Sequence, residues 1–331
     1  MPNVCICTTK EADLYQTSVD LLKKNGFTVS FVGDPEFGMG LKISDNTITL
    51  LQKAHATMAA GEYYTSELFK QLPNLRVISR LGVGFDRVDI QSATQNNVVV
   101  TITPNGNHEG VAEHAMALIM TVAKQIVSKD KKIRSGVWDI DRTSSLRADT
   151  LGIIGLGRIG RSLALRALAM KMKVIATEPY PNEEFVKSNC LELVDIDTLL
   201  KRSDYVSVNS PFNEMTKGLI DKEKLSLMKK TAYLINTSRG GLINESDLIS
   251  ALKNNDIAGA GLDVFEIEPI TKDNPLIELN NVVLSPHMAG NDAVSIEDTS
   301  IEAAQYIIDL YHGLWPGGAV INNELEGQWS W

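Results

Sequence analysis

Thr150-Leu151-Gly152-Ile153-Ile154-Gly155-Leu156-Gly157-Arg158-Ile159-Gly160 is the stretch whose reading decides the fold. Leu151, Ile153 and Ile154 make a short apolar strand, and residues 162–170, rich in Leu and Ala, predict the helix that follows. Between them Gly155, Gly157 and Gly160 stand at Gly-x-Gly-x-x-Gly spacing. Gly155 permits a tight turn, Gly157 lets the backbone approach a pyrophosphate, and Gly160 lets the helix lie close to the strand. The free N–H groups and positive dipole end of that helix then face the phosphates. A glycine triplet alone also serves ordinary turns. Here a second strand, residues 173–177, is closed by Glu178, which places a carboxylate at about the twenty-residue offset of a ribose ligand.

Working outward, 331 residues suffice for two domains, each with its own core. A net charge of -9 argues against a general nucleic-acid or membrane-surface binder. The three cysteines, Cys5, Cys7 and Cys190, have no metal spacing and suit a reducing cytosol, so a cytoplasmic protein is expected. Cys5 and Cys7 alternate along a strand and so share a face. The first residues show neither a basic segment nor a long apolar run, so no signal peptide is expected. The most apolar helix, 111–127, is interrupted by Glu113, His114 and Lys124; it reads as a buried or subunit-interface helix, not a membrane span. His55, His108, His114 and His312 form no ligand pattern, and no metal is expected.

Strands at 4–7, 28–32, 56–60, 76–80 and 98–101 alternate with helices at 11–24, 44–52, 65–72 and 89–95, which predicts a doubly wound parallel sheet. That half lacks a dinucleotide turn and is expected to bind the substrate. Its loop Arg80-Leu81-Gly82-Val83-Gly84-Phe85-Asp86 follows a strand, where open α/β sheets bind ligands, and exposes N–H groups of the kind that hold a carboxylate. An ordinary glycine turn would read the same way. The turn-rich segment 103–107 predicts a hinge near 104, followed by the long helix from about His108.

Beyond the glycine turn, strands are expected at 191–196, 205–210, 232–237, 257–265 and 282–285, with helices at 197–201, 221–229 and 244–254, Asn244 being an N-cap. A final helix, 292–312, is expected to return to the first domain, giving a nucleotide-binding domain (104–288) inserted into a substrate domain (1–103 and 289–331).

Three strand ends carry side chains able to do chemistry. Arg239 stands among Asn236-Thr237-Ser238-Arg239-Gly240-Gly241, where its guanidinium could fork onto a carboxylate and carbonyl or merely pair on the surface. Glu266 and Glu268 would share a face if their strand ran that far, and Pro269 holds Glu268 extended. His287, in Ser285-Pro286-His287-Met288-Ala289-Gly290, can exchange a proton near neutral pH, with a carboxylate to fix its tautomer.

Taken together, these blocks resemble the D-isomer-specific 2-hydroxyacid dehydrogenase family, with phosphoglycerate dehydrogenases and hydroxypyruvate or glyoxylate reductases as its nearest branches. The match runs in the family's order through 80–89, 110–118, 150–160, Ser210-Pro211, 236–247, 261–269 and 285–290. It implies a Rossmann domain inserted into a flavodoxin-like substrate domain, NAD as cofactor and a homodimer built on the nucleotide domain. It implies Arg239, Glu268 and His287 as the catalytic set, the glutamate before proline being the family's. Substrate would be held by Arg239, His287 and the N–H groups of Val83 and Gly84, with Arg80 matching a phosphate-binding arginine of phosphoglycerate dehydrogenases. The dinucleotide contacts fall on Gly155, Gly157, Arg158, Ile159, Gly160, Glu178, Ser210, Pro211, Thr216, Thr237, Ser238, Arg239, Asp263, His287, Ala289 and Gly290.

The expected reaction is hydride transfer between NAD(H) and a small 2-oxo or 2-hydroxy acid. Hydroxypyruvate or glyoxylate is favoured over a phosphorylated acid, because Met58-Ala59-Ala60-Gly61 brings no second cation. A D-3-phosphoglycerate dehydrogenase is the alternative, and an NAD-sensing co-repressor is the alternative from another class. Formate dehydrogenases have glutamine where this chain has Glu268. The chain departs from the family in having Glu178 where Asp is commoner, in the tryptophans near its end, expected to pack on this subunit or its partner, and in lacking a regulatory domain.

Overall fold

Val4 and Ile6 point to one face of the first strand and Cys5 and Cys7 to the other, and each pair enters a separate apolar cluster. The computed structural model in which this is seen describes residues 1–8 and 12–331. They divide into two units, Met1–Asn107 with Gly290–Trp331, and His108–Ala289.

In the first unit β1 (Asn3–Ile6), β2 (Thr28–Phe31), β3 (Ala56–Ala59), β4 (Val77–Arg80) and β5 (Val99–Thr101) make a parallel sheet in the order β2-β1-β3-β4-β5. This is the flavodoxin-like order, whose ligand crevice lies beyond the carboxyl ends of the strands where the winding reverses. One face packs on the helix Ala293–Tyr311, capped at its start by the Asp292 carboxylate accepting from the Ser295 N–H. Past that helix the chain bridges Val320 to Thr101 in antiparallel sense, and the buried Asn322 amide is shared between Val98 and Val100. Trp331 then packs edge-on against Phe27 and Tyr311, and Trp329 donates to the Asn97 carbonyl. The terminal tryptophans therefore close the core of their own unit.

The second unit holds β6 (Thr150–Ile154), β7 (Lys173–Thr177), β8 (Glu192–Leu193), β9 (Tyr205–Val208), β10 (Tyr233–Asn236), β11 (Gly259–Leu262) and β12 (Val282–Leu284). Its parallel order is β12-β11-β10-β9-β6-β7-β8. The winding reverses between β6 and β9, so the turn after β6 faces the crevice.

Several boundaries differ from expectation for local reasons. The strand expected at 191–196 shrinks to β8, because Asp195 caps the helix Ile196–Arg202 through the Thr198 N–H. The helix expected at 65–72 ends at Phe69. The one expected from residue 11 starts outside the described residues; from Ala12 a 3-10 turn leads into the helix Gln16–Lys24. The short helix Pro35–Gly38 and the helix Glu183–Ser188, capped by Asp34 and Asn182, were not expected.

The apolar helix expected at 111–127 is His108–Lys124; Gln125 turns left-handed, with φ of 53°, and a second helix, Ile126–Arg134, begins. Its apolar side buries Val111, Ala115, Leu118, Ile119 and Val122 against its own unit, chiefly the helix Arg158–Ala169 and β10 to β12. Its apolarity is thus explained within the unit and is not by itself a sign of an interface. Among the described residues no helix is long and apolar enough to cross a membrane.

Candidate active site

The three glycines of the turn after β6 stand in different surroundings, and two of them admit no side chain. Gly155 has φ of +95°, and a Cβ there would meet the Asn209 carbonyl at 2.8 Å. A Cβ on Gly160 would lie 2.1 Å from the Gly155 carbonyl oxygen, so only glycine lets helix and turn meet. Gly157 has open space around its Cβ position. It sits at the N-cap of Arg158–Ala169 without a capping side chain, so the first N–H groups of that helix are left to a ligand. The Glu178 carboxylate accepts from the Leu156 N–H at 2.8 Å and the Tyr180 N–H at 3.0 Å, bracing the turn. Its remaining lone pairs can still take a ribose diol.

Two buried oxygens, at the ends of the neighbouring strands β9 and β10, fit a bound dinucleotide. Thr237 Oγ1 and Asn209 Oδ1 find no hydrogen-bond partner among the described residues, a costly state unless a ligand or water completes it. Asn209, at the end of β9, was not singled out from sequence. Its neighbour Ser210 gives its carbonyl to the Ser238 hydroxyl at 2.6 Å, tying the β9 and β10 ends together. Thr216 donates to the Pro211 carbonyl at 2.7 Å and closes the exposed 211–216 loop.

Three neighbouring strand ends bring the expected catalytic residues into adjacent loops. After β10 the buried Asn236 side chain donates to the Arg239 carbonyl at 2.8 Å and accepts from the Ser238 N–H at 3.0 Å, forming the turn that presents Arg239. Gly240 lies so close to the next loop that a Cβ would sit 1.9 Å from the Phe265 carbonyl carbon. The strand expected to run to 265 stops at Leu262, so no shared strand face decides between Glu266 and Glu268. The turn decides instead. Glu266 is exposed, whereas Glu268 folds back, accepts from the Phe265 N–H at 3.0 Å and reaches His287.

His287 Nδ1 and Glu268 Oε2 are 2.8 Å apart. With Glu268 ionised, Nδ1 carries the proton and Nε2 is the atom left for chemistry. His287 has φ of 50°, a left-handed backbone that a non-glycine residue adopts only when its surroundings impose it. Asp263 imposes it. The Asp263 carbonyl accepts from the His287 N–H at 2.7 Å. Its fully buried carboxylate accepts from the Ser285 hydroxyl at 2.6 Å, the Met288 N–H at 3.0 Å and the Ala289 N–H at 2.9 Å. Behind it, His114 Nε2 lies 2.9 Å from Ser285 Oγ and 3.5 Å from Asp263 Oδ1.

Asp263, expected to touch the cofactor, is therefore covered in this structure, and it shapes the His287 turn from below. His114 was not recognised from sequence as part of this group, because 171 residues separate it from Ser285. Gly290, also expected at the cofactor, falls in the first unit, where a Cβ on it would meet the Asn107 side chain at 2.8 Å.

In the first unit, Gly82 after β4 has φ of +142° and its N–H donates to Thr103 Oγ1 at 2.7 Å. Val83 is exposed, and among the described residues no internal hydrogen bond takes the Val83 or Gly84 N–H. Arg80 differs from expectation. It is buried, with Nε donating to the Gly84 carbonyl at 3.0 Å, which places it under the loop as a brace. Asp89, beyond the same loop, caps the helix Ile90–Gln95 by accepting from the Ser92 N–H and hydroxyl.

Comparison with known proteins accords with this geometry. Residues 116–289 match the D-isomer specific 2-hydroxyacid dehydrogenase, NAD binding domain. The chain is 35% identical over 314 residues to the D-3-phosphoglycerate dehydrogenase of Archaeoglobus fulgidus, covering 94% of this chain and 58% of that one. It is 41% identical over 266 residues to the glyoxylate reductase of Korarchaeum cryptofilum, covering 78% of this chain and 80% of that one. The crystal structure of D-lactate dehydrogenase from Aquifex aeolicus, complexed with NAD and lactic acid, superposes with a TM-score of 0.80 at 29% identity, covering 94% of this chain and 96% of that one. The chain belongs to the D-isomer specific 2-hydroxyacid dehydrogenase family, whose members are NAD-dependent enzymes acting on the CH–OH group, and its second unit contains the family's NAD-binding domain.

Proposed function

We propose that this chain reduces a small, unphosphorylated 2-oxo acid such as hydroxypyruvate or glyoxylate with NADH, giving the D-2-hydroxy acid. The observation that carries the reading is the Glu268–His287 pair, held at 2.8 Å on a strained turn one strand from the Arg239 loop. The nicotinamide cofactor, when bound, supplies or accepts the hydride. The protein's share is positional and protonic. Arg239 forks onto the carboxylate and carbonyl of the 2-oxo acid. The N–H groups of Val83 and Gly84 take the carboxylate. His287 gives a proton from Nε2 to the oxygen as negative charge develops there, and Glu268 stabilises the imidazolium throughout. Oxidation reverses each role.

The phosphoglycerate alternative required Arg80 as a phosphate ligand, and its burial beneath the Val83–Gly84 loop counts against it. The test compares kcat/KM for hydroxypyruvate and 3-phosphohydroxypyruvate. We expect the unphosphorylated acid to be favoured by about tenfold or more; the reverse preference overturns the substrate assignment.

NADH should be preferred over NADPH, because Glu178 would repel a 2′-phosphate and residues 179–182 carry no cation. Glu178→Ser should narrow the NADH:NADPH ratio of kcat/KM by about tenfold. Equal efficiency with both cofactors in the wild type would contradict this.

A homodimer and a cytoplasmic location complete the proposal. The helix Ile126–Arg134 buries none of its residues, and Ile126, Ile133, Trp138 and Ile140 are exposed, an apolar surface suited to a second copy. Light scattering at micromolar concentration should give twice the chain mass of 36.3 kDa, and a monomer mass would refute it. Cys5 and Cys7 are buried free thiols whose titration burial pushes upward, which accords with a reducing compartment.

A further inference from the structure

Residues 263–274, which carry Glu268, run in neither helix nor strand between β11 and the 3-10 turn Pro275–Glu278. The reach of Glu268 to His287 therefore depends on what holds this segment. Within it, Glu268 accepts from the Phe265 N–H at 3.0 Å. The next amide is taken from outside: the Glu266 N–H donates to Glu245 Oε2 at 3.0 Å. Glu245 Oε1 accepts from Asn274 Nδ2 at 2.7 Å, at the far end of the same segment. Two carboxylates thus take consecutive N–H groups of one turn, and that of Glu245 spans to the segment's other end.

Glu245 opens the helix Glu245–Asn254, and Arg239 stands at the start of the run that leads into it through the 3-10 turn Gly240–Leu242. Gly240 lies against the Glu268 turn, since a Cβ on it would sit 2.4 Å from the Glu266 nitrogen. The run 239–245 therefore meets that turn twice, by packing at Gly240 and by hydrogen bonding at Glu245. The second contact needs a carboxylate. Both groups facing Glu245 are donors, and Asn274 cannot turn its amide over, because its Oδ1 accepts from the Leu276 N–H at 2.9 Å and caps the turn Pro275–Glu278. A glutamine offers one oxygen and one NH2 group, so it leaves one donor facing another.

We propose that Glu245 is a positioning residue for the proton transfer: its carboxylate fixes the turn that sets Glu268 against His287, and registers that turn to the run carrying Arg239. It acts through Glu268 and is not itself a catalytic residue. The inference rests on the proposal that His287, steadied by Glu268, supplies the proton.

The experiment measures kcat and KM for hydroxypyruvate, NADH affinity by fluorescence titration, and hydrogen exchange of 263–274 by mass spectrometry, in wild type, Glu245→Gln, Asn274→Asp and the double variant. Glu245→Gln should lower kcat about tenfold, as misplacing a proton-transfer group does, with KM and NADH affinity within about threefold. It should also speed exchange in 263–274. Asn274→Asp sets two carboxylates face to face and should be impaired as well. In the double variant the new NH2 group donates to the new carboxylate while its oxygen takes the Glu266 N–H, so kcat and exchange should return to within about threefold of wild type. In a Glu268→Gln background, Glu245→Gln should cost less than about threefold further in kcat, because the carboxylate it acts through is already gone. A double variant no better than the single ones, a KM that rises as far as kcat falls, or a larger further loss in the Glu268→Gln background overturns the proposal. If Glu245→Gln does not fold, Glu245→Asp, which keeps the charge but is one methylene shorter, is read for the same loss of kcat, steady KM and faster exchange. If wild type reduces no 2-oxo acid at all, the proposed function fails and exchange alone decides: faster in Glu245→Gln and restored in the double variant supports Glu245 as the holder of the turn, and unchanged exchange overturns it.

Discussion

His287→Ala should lower turnover by about 10³-fold, within the range general acid–base groups contribute, while NADH binds as in wild type. The expectation follows from geometry. Glu268 occupies Nδ1 at 2.8 Å, so the ring works through Nε2, and alanine at that place leaves the alkoxide without its proton source. The turn should survive the change, because Asp263 holds it through the backbone of residues 287–289 and not through the imidazole. Steady-state kinetics with a fluorescence titration of NADH separate the two effects. A variant retaining more than about a tenth of wild-type turnover would remove His287 from its role.

Asp263→Ala should be nearly as damaging, for a different reason. The buried carboxylate accepts from one hydroxyl and two N–H groups, and its loss leaves all three donors without that acceptor at about 1–3 kcal/mol each. The left-handed backbone of His287 would then lose much of what imposes it. We expect kcat/KM to fall about 10²-fold and the melting temperature by about 5–10 °C. Asp263→Asn should rescue only part of this, since its NH2 group faces a donor that the second oxygen had accepted from. Wild-type kinetics in Asp263→Ala would show that the turn holds itself.

How much of this was legible in the sequence depended on whether a residue's cause was local. Gly155, Gly157 and Gly160 could be assigned separate roles because each answers a constraint within the same turn; the structure shows the tight turn at Gly155 and the close helix approach at Gly160, and leaves open space at Gly157. The cap at Asn244 was readable for the same reason: the Asp247 N–H it accepts from is three residues away. The Glu266 and Glu268 pair was not decided by spacing, because β11 stops at Leu262 and the turn alone sends Glu268 toward His287. His114 stayed invisible because its partners belong to other elements of the fold. Arg80 misled for a related reason. Its place at a strand end suggested a ligand for phosphate, but the fold buries it beneath its own loop, where Nε donates to the Gly84 carbonyl.

The central claim is that the chain passes hydride between NAD(H) and C2 of a 2-oxo acid. The most direct measurement supplies purified protein with NADH deuterated at nicotinamide C4, on the transferred face, and with glyoxylate, hydroxypyruvate or pyruvate, then analyses the product by mass spectrometry and chiral separation. The account predicts deuterium at C2 of the 2-hydroxy acid, the D configuration wherever C2 of the product has a side chain, and the signal lost in His287→Ala. NADH that binds tightly but is oxidised by none of these acids would contradict it and leave the chain a nucleotide-binding protein without this chemistry.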